Sequence, residues 1–207
     1  MIEEIIPGNR TRFRILETIY ENPGINITNL IKKVKASPNL VLSYINKLLS
    51  YNIIKEEKIG GKKKIHVRSL TPNFNNELAH TFYSLIKINK KELFLKKYSN
   101  LRPILNQLYE EFEEKRAVIL IYGSYARFSA ERDSDLDVII IGKLKKEEIS
   151  KIREIFITFE AELSLKIETP ANFLKSIQKP LYQNILKSHI VLNNANEFIR
   201  LLDKINK

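Results

Sequence analysis

Two aspartates separated by one residue, Asp135-Leu136-Asp137, follow a Gly123-Ser124 pair in the stretch IYGSYARFSAERDSDLDVIII. In an extended chain successive side chains alternate, so Asp135 and Asp137 project from one face while Leu136 and Val138 project from the other. Two carboxylates a few ångströms apart repel, and a divalent cation with oxygen ligands relieves that repulsion; magnesium is the natural choice. A glycine lets the backbone approach a ligand closely, and Ser124 adds a hydroxyl and an amide as donors, so the Gly123-Ser124 turn suits an anion. The three histidines, His66, His80 and His189, lie in separate elements without metal-ligand spacing and read as surface or hydrogen-bonded structural residues.

The elements that must hold these groups are visible on both sides of them. Ala117 to Tyr122 is a continuous apolar run, as expected of a strand buried on both faces, and it leads directly into Gly123. Asp135 and Asp137 open a second apolar strand through Ile141. This G-S-x10-D-x-D arrangement between two hydrophobic strands resembles the minimal nucleotidyltransferase family of the polymerase-beta superfamily, over about residues 100 to 200. The resemblance implies transfer of a nucleoside monophosphate from a nucleoside triphosphate, ATP being the expected one, to a hydroxyl. Asp135 and Asp137 would hold Mg2+, with a two-metal site as an option, and Gly123 and Ser124 would cradle the phosphates. Arg127 matches an arginine that often follows the family's Gly-Ser and would grip a phosphate. Phe128 departs from the pattern, since many relatives carry Gly there.

Downstream, Ile149, Ile152, Ile155, Phe156 and Phe159 mark a helix, and Glu162 to Glu168 alternates Leu163, Leu165 and Ile167 with polar residues as a third strand. The family places a third acid on that strand, and by the register of the resemblance Ser164 stands in its position. Glu162, two residues earlier on the same face, is the expected substitute and third catalytic residue beside Asp135 and Asp137; Glu168 is the other acid available.

The first third of the chain has a different pattern. Phe13, Leu16, Ile19 and Tyr20 trace a helix that Asn22-Pro23-Gly24 halts, and Leu30, Ile31 and Val34 trace a second. Ser37-Pro38 places an N-cap before a proline at the first helical position, and Val41, Ile45 and Leu48 follow as the buried stripe of a third helix. Ile53–Ile59 and Lys63–Arg68 read as a hairpin turning at Gly60-Gly61. Residues 9 to 72 thus resemble the winged helix-turn-helix family. That resemblance implies duplex DNA as partner, with the third helix in the major groove presenting Asn39, Leu40, Ser43 and Lys47, and with Lys62, Lys63 and Lys64 of the wing on phosphates. The amide of Asn39 and the hydroxyl of Ser43 can meet base edges, whereas lysines neutralise phosphate without reading sequence. A winged helix can also serve dimerisation, so a homodimer is the other use of this region.

Charge agrees with a polyanionic partner. The chain carries a net +11, of which residues 1 to 72 hold +7, from thirteen Lys and Arg against six Glu. With 43% hydrophobic and 29% charged residues the composition excludes a disordered chain, and the absence of cysteine excludes disulfides and thiolate metal sites. The apolar runs are too short to span a bilayer and Met1 opens no leader, so a cytoplasmic, non-membrane protein is expected. The expected fold is α+β: a winged helix-turn-helix domain over 1–72, connecting helices over 73–99, and an α/β nucleotidyltransferase domain over 100–207. Two functions fit it. One is a metal-dependent nucleotidyltransferase whose acceptor is a hydroxyl, a protein such as a cognate toxin included, because several members of that family act as antitoxins. The other is a DNA-binding transcriptional regulator whose degenerate transferase domain serves as a nucleotide sensor or interaction module.

Overall fold

Asn9 begins the first helix by accepting a hydrogen bond from the Arg12 amide at 2.9 Å, so that α1 (Arg10–Glu21) turns Ile15, Leu16, Ile19 and Tyr20 inward. A computed structural model of the chain describes residues 3, 5–60, 66–112, 115–158 and 162–205, with backbone alone at 58–60, 66 and 67. It divides into two compact units, Met1–Tyr83 and Ser84–Lys207.

In the first unit, a two-residue strand β1 (Ile25–Asn26) leads into α2 (Ile27–Val34), capped by Asn26 and closed by Lys35 in a left-handed conformation at φ 53°. Then comes α3 (Pro38–Ser50), which buries Val41, Tyr44, Ile45 and Leu48. Ser37 occupies its N-cap position but makes no side-chain cap bond; Pro38 at the first turn, which needs no N–H there, starts the helix. Strands β2 (Ile54–Gly60) and β3 (His66–Pro72) pair antiparallel from Ile54↔Pro72 to Gly60↔His66, and β1 adds to the other edge of β3. The second strand of the hairpin therefore runs four residues past Arg68. Leu70, fully buried, faces Ile25 across the ladder, and the Ser69 hydroxyl donates to the Gly24 carbonyl at 3.0 Å. Gly60 is the last paired residue of β2 rather than a turn residue, and the turn itself, with Lys62, Lys63 and Lys64, lies outside the described residues.

Helix α4 (Glu77–Lys97) contains the division between the units. The second unit continues through a 3-10 turn (Ser99–Leu101) and α5 (Arg102–Phe112) to β4 (Val118–Ile121), the one-turn helix α6 (Gly123–Ala126), β5 (Leu136–Ile141) and α7 (Lys146–Thr158). It ends with β6 (Leu163–Glu168), α8 (Pro170–Ser176), α9 (Pro180–Lys187), β7 (Ile190–Val191) and α10 (Ala195–Asp203). The sheet order is β6-β5-β4-β7; β5 and β6 run parallel, and the other neighbours antiparallel. Alternation divides the strand residues between two cores. Ile119, Ile121, Val138 and Ile140 pack with Leu105, Leu108, Phe112, Ile152 and Phe156 of α5 and α7. Val118, Leu120, Ile139 and Ile141 pack on the other face with Phe173, Tyr182, Ile185 and Phe198 of α8, α9 and α10. Asp137 shares the parity of Ile139 and so stands on this second face, where the covering helices leave it half-exposed. No helix among the described residues is long and apolar enough to cross a membrane.

Candidate active site

Gly123 takes φ +69°, and a Cβ added to it would fall 2.0 Å from Asp137 Oδ2 and 3.0 Å from Asp137 Cγ. The carboxylate of Asp137 therefore rests on the bare Cα of Gly123, a contact that only glycine permits in a backbone conformation that favours glycine. The Tyr122 amide donates to the Asp137 carbonyl at 3.0 Å, which continues the β4–β5 ladder by one residue and sets the turn beside the aspartate. From there the chain turns at once into α6, where the Arg127 amide donates to the Gly123 carbonyl at 3.2 Å and the Ser129 amide to the Ser124 carbonyl at 3.0 Å. Arg127 is thus fixed at the end of that turn, with its side chain exposed.

Across β5 from this turn lies β6. Asp137 pairs in register with Ser164, and the Leu136 amide donates to the Glu162 carbonyl at 2.9 Å, bringing Glu162 beside Asp135. A hydrogen bond between their side chains and the charge of Asp135 raise the Glu162 carboxyl above its ordinary range, with smaller contributions from burial and from Asp133. Asp135, Asp137 and Glu162 thus occupy one face at the start of two adjacent parallel strands. Glu168 does not join them: it pairs in register with Ile141, accepts the Tyr182 hydroxyl at 2.6 Å and lies 3.5 Å from Lys166 Nζ.

The donor set suits a small hard cation. Among the described residues no three His, Cys, Asp or Glu side chains converge as a metal cage. An aspartate pair next to a phosphate-sized turn is nevertheless the arrangement magnesium uses, since it keeps water and takes one or two carboxylates plus substrate phosphates.

Two neighbours are not evident from the motif. Tyr122 points to the same face; burial and the charge of Asp137 raise its phenol, while a hydrogen bond with Ser164 and the charge of Lys166 pull it down. An aromatic residue before Gly-Ser reads in sequence as strand, and Lys166 reads as the solvent side of one. Phe128 adopts φ +59°, which gives a physical reason for the glycine that many relatives have there. Its ring packs near Phe94 and Tyr98, at centroid separations of 6.4 and 6.3 Å, and these contacts stabilise the left-handed residue.

In the first unit α3 exposes Asn39, Leu40 and Ser43, while Lys47 is half-buried. Of the histidines, His80 contacts the Phe74 carbonyl through Nε2, and His189 is buried between Lys87 Nζ and the Ile185 carbonyl, each 2.8 Å away.

Comparison with known proteins gives matches in both units. Residues 9–55 match the winged helix-turn-helix DNA-binding family model, and residues 105–198 match the polymerase beta nucleotidyltransferase model. A Methanocaldococcus jannaschii protein named "Putative protein adenylyltransferase MJ0604" is 23% identical over 93 residues, which cover 44% of this chain and 93% of the relative. A chain from the crystal structure of a toxin-antitoxin with AMP-PNP is 15% identical, with a TM-score of 0.36, covering 49% of this chain and 86% of that one.

Proposed function

Since this chain carries a winged helix-turn-helix DNA-binding domain followed by a polymerase-beta nucleotidyltransferase domain, we propose that it transfers a nucleoside monophosphate, AMP from ATP, to a protein hydroxyl. The seating of Asp137 Oδ2 on Gly123 carries this reading, because it sets a glycine-serine turn suited to an anion directly against one carboxylate of the aspartate pair. The relative named as a protein adenylyltransferase supports both the nucleotide and the class of acceptor. A cognate toxin is one such acceptor, from the family resemblance.

In this reading Asp135 and Asp137 hold Mg2+, which would supply charge neutralisation on the triphosphate. Gly123 allows close approach of the backbone, Ser124 donates to phosphate oxygens, and Arg127 reaches the same phosphates from the end of α6. Glu162, beside Asp135 on the far side of β5, orients the acceptor hydroxyl and receives its proton. The first unit binds duplex DNA through α3 and the basic wing.

The second reading, a regulator with a degenerate transferase domain, draws on Ser164, an uncharged residue directly opposite Asp137. Incubating the protein with α-labelled ATP, magnesium and candidate acceptors, beside an Asp135→Ala, Asp137→Ala variant, separates the two. Label transferred only by the unmodified protein upholds the enzyme, whereas binding of ATP without transfer to any acceptor favours the regulator.

A further inference from the structure

The face of β6 that bears Glu162 and Ser164 continues into a cleft. Lys166 lies opposite Ile139 and Glu168 opposite Ile141, so Lys166 stands about 7 Å, two residues of rise, beyond Ser164. Past it opens a cavity of about 570 Å³ whose lining includes Lys166, Glu168, Lys175, Lys179, Leu181 and Tyr182. Glu168 is already occupied, by the Tyr182 hydroxyl and by Lys166. Lys175 and Lys179 have exposed side chains and no carboxylate partner among the described residues. The cleft therefore presents uncompensated positive charge, and it lies on the same face as the aspartates.

Its position has a mechanistic meaning, which rests on the transfer reading above. In the order β6-β5-β4 the Gly123-Ser124 turn flanks the aspartates from the β4 side. A displacement in line at phosphorus puts the attacking and leaving oxygens on opposite sides. Pyrophosphate leaves towards Gly123 and Ser124, and the acceptor enters from the β6 side, along the cleft. We infer that the acceptor is a hydroxyl on an acidic peptide segment, whose carboxylates are held by Lys175 and Lys179 in the cleft beyond Lys166. The acceptor oxygen forms a bond to the α-phosphorus, the bond from that phosphorus to the oxygen bridging the β-phosphate breaks, pyrophosphate takes the electron pair, and the hydroxyl proton passes to Glu162.

A nucleic-acid end fits the cleft less well. Sites for single strands combine basic groups with aromatic faces on which bases stack. The one aromatic residue lining this cleft, Tyr182, is 3% exposed, with its ring covered by Phe173 and by Lys166 at 5.6 and 5.5 Å. Exposed Leu181 offers a peptide an apolar contact instead.

The test uses the full chain and a fluorescent glutamate–tyrosine copolymer, with a lysine–tyrosine copolymer and oligothymidylate as alternatives. Binding is read by anisotropy without nucleotide, and transfer by label from α-labelled ATP. The Lys175→Ala, Lys179→Ala variant should bind the acidic copolymer at least about fivefold more weakly than a Lys143→Ala, Lys145→Ala control, which removes equal charge elsewhere. Its affinity for ATP should be unchanged. The Lys175→Glu, Lys179→Glu variant should shift preference towards the basic copolymer. Equal binding by the variant and the control, or selective labelling of oligothymidylate, would overturn the acidic-peptide assignment. Intact cleft-dependent binding with no label transferred would instead count against the transferase reading alone.

Discussion

Asp137 has two neighbours that constrain it in different ways: Gly123, whose missing Cβ makes room for its carboxylate, and Ser164, which faces it in register. Replacing Asp137 by Asn should weaken magnesium-dependent triphosphate binding at least tenfold, about 1.4 kcal/mol, as read by calorimetry, with folding retained. Gly123→Ala should lose at least as much, because the new methyl displaces the same carboxylate, and it should add a left-handed backbone cost of about 1 kcal/mol in denaturant unfolding. Adding Asp137→Ala to Gly123→Ala should then change affinity little further, since both act through one contact; additive losses would show that the turn and the aspartate bind independently. Glu162 is tested by a different separation of effects. Glu162→Gln should abolish transfer in a single-turnover assay while leaving triphosphate binding largely intact, and Glu168→Gln should do much less because Tyr182 and Lys166 hold Glu168 away from the site. Full activity in the Glu162 variant would remove that residue from the mechanism. A Ser164→Asp variant that gains transfer would show that the natural strand lacks an acid it could use.

At the scale of elements, substitutions in the wing should weaken binding regardless of sequence, and substitutions in α3 should weaken it at preferred sequences. Lys62→Ala, Lys63→Ala and Lys64→Ala together should weaken binding to all duplex sequences alike and lower the salt slope by up to about three units. Asn39→Ala or Ser43→Ala on α3 should instead cost about 1–3 kcal/mol on a preferred sequence and little on others, as measured by competition at fixed salt. How far these elements were legible follows from what sets each one. The apolar runs either side of Gly123 and Asp135 could be read directly, because β4 is buried on both faces and β5 is buried everywhere but at Asp137, leaving hydrophobic side chains at every other position. Helices α1, α2 and α3 were legible from their apolar period, the stop at Asn22-Pro23-Gly24 and the proline that opens α3. The C-terminal part of β3 was not, because Ser69-Leu70-Thr71-Pro72 has the composition of a loop and becomes a strand only through pairing with Ile25 and Ile54. The same limit applies in the site. The spacing of Gly-Ser and Asp-x-Asp identifies the aspartate pair, but the nearness of Lys166 and Tyr122 depends on the register of β6 against β5, which no local pattern encodes.

At the scale of the molecule, the second unit holds a buried lysine beside a buried histidine. Lys87 Nζ donates to His189 Nε2, and His189 Nδ1–H donates to the Ile185 carbonyl. Burial, and then the charges of Lys87 and Lys90, hold the imidazole well below its usual range, so it stays neutral in the folded state. Above about pH 6.5 the unfolded chain carries the same neutral ring and the residue adds no pH dependence; below it the unfolded state takes a proton that the folded state refuses, and stability falls by up to about 1.4 kcal/mol per pH unit. Thermal melts at pH 7.5 and 5.5 should therefore differ more for the unmodified protein than for His189→Gln, and equal differences would contradict the assignment. A last consequence comes from β7, the two-residue strand that pairs Ile190 and Val191 with Ile121 and Leu120, some seventy positions earlier. The widest pairing in the first unit, Ile25 with Leu70, closes once residue 70 is made. During synthesis the DNA-binding half can complete its own ladder while the ribosome is still translating the sheet that must hold the aspartates. A chain cut short by a stop codon between Tyr83 and Ile190 would contain the whole winged helix-turn-helix unit and lack β7 of the second sheet. Such late nonsense alleles should act as dominant competitors of the intact protein at its DNA sites, whereas stop codons before residue 70 should be recessive.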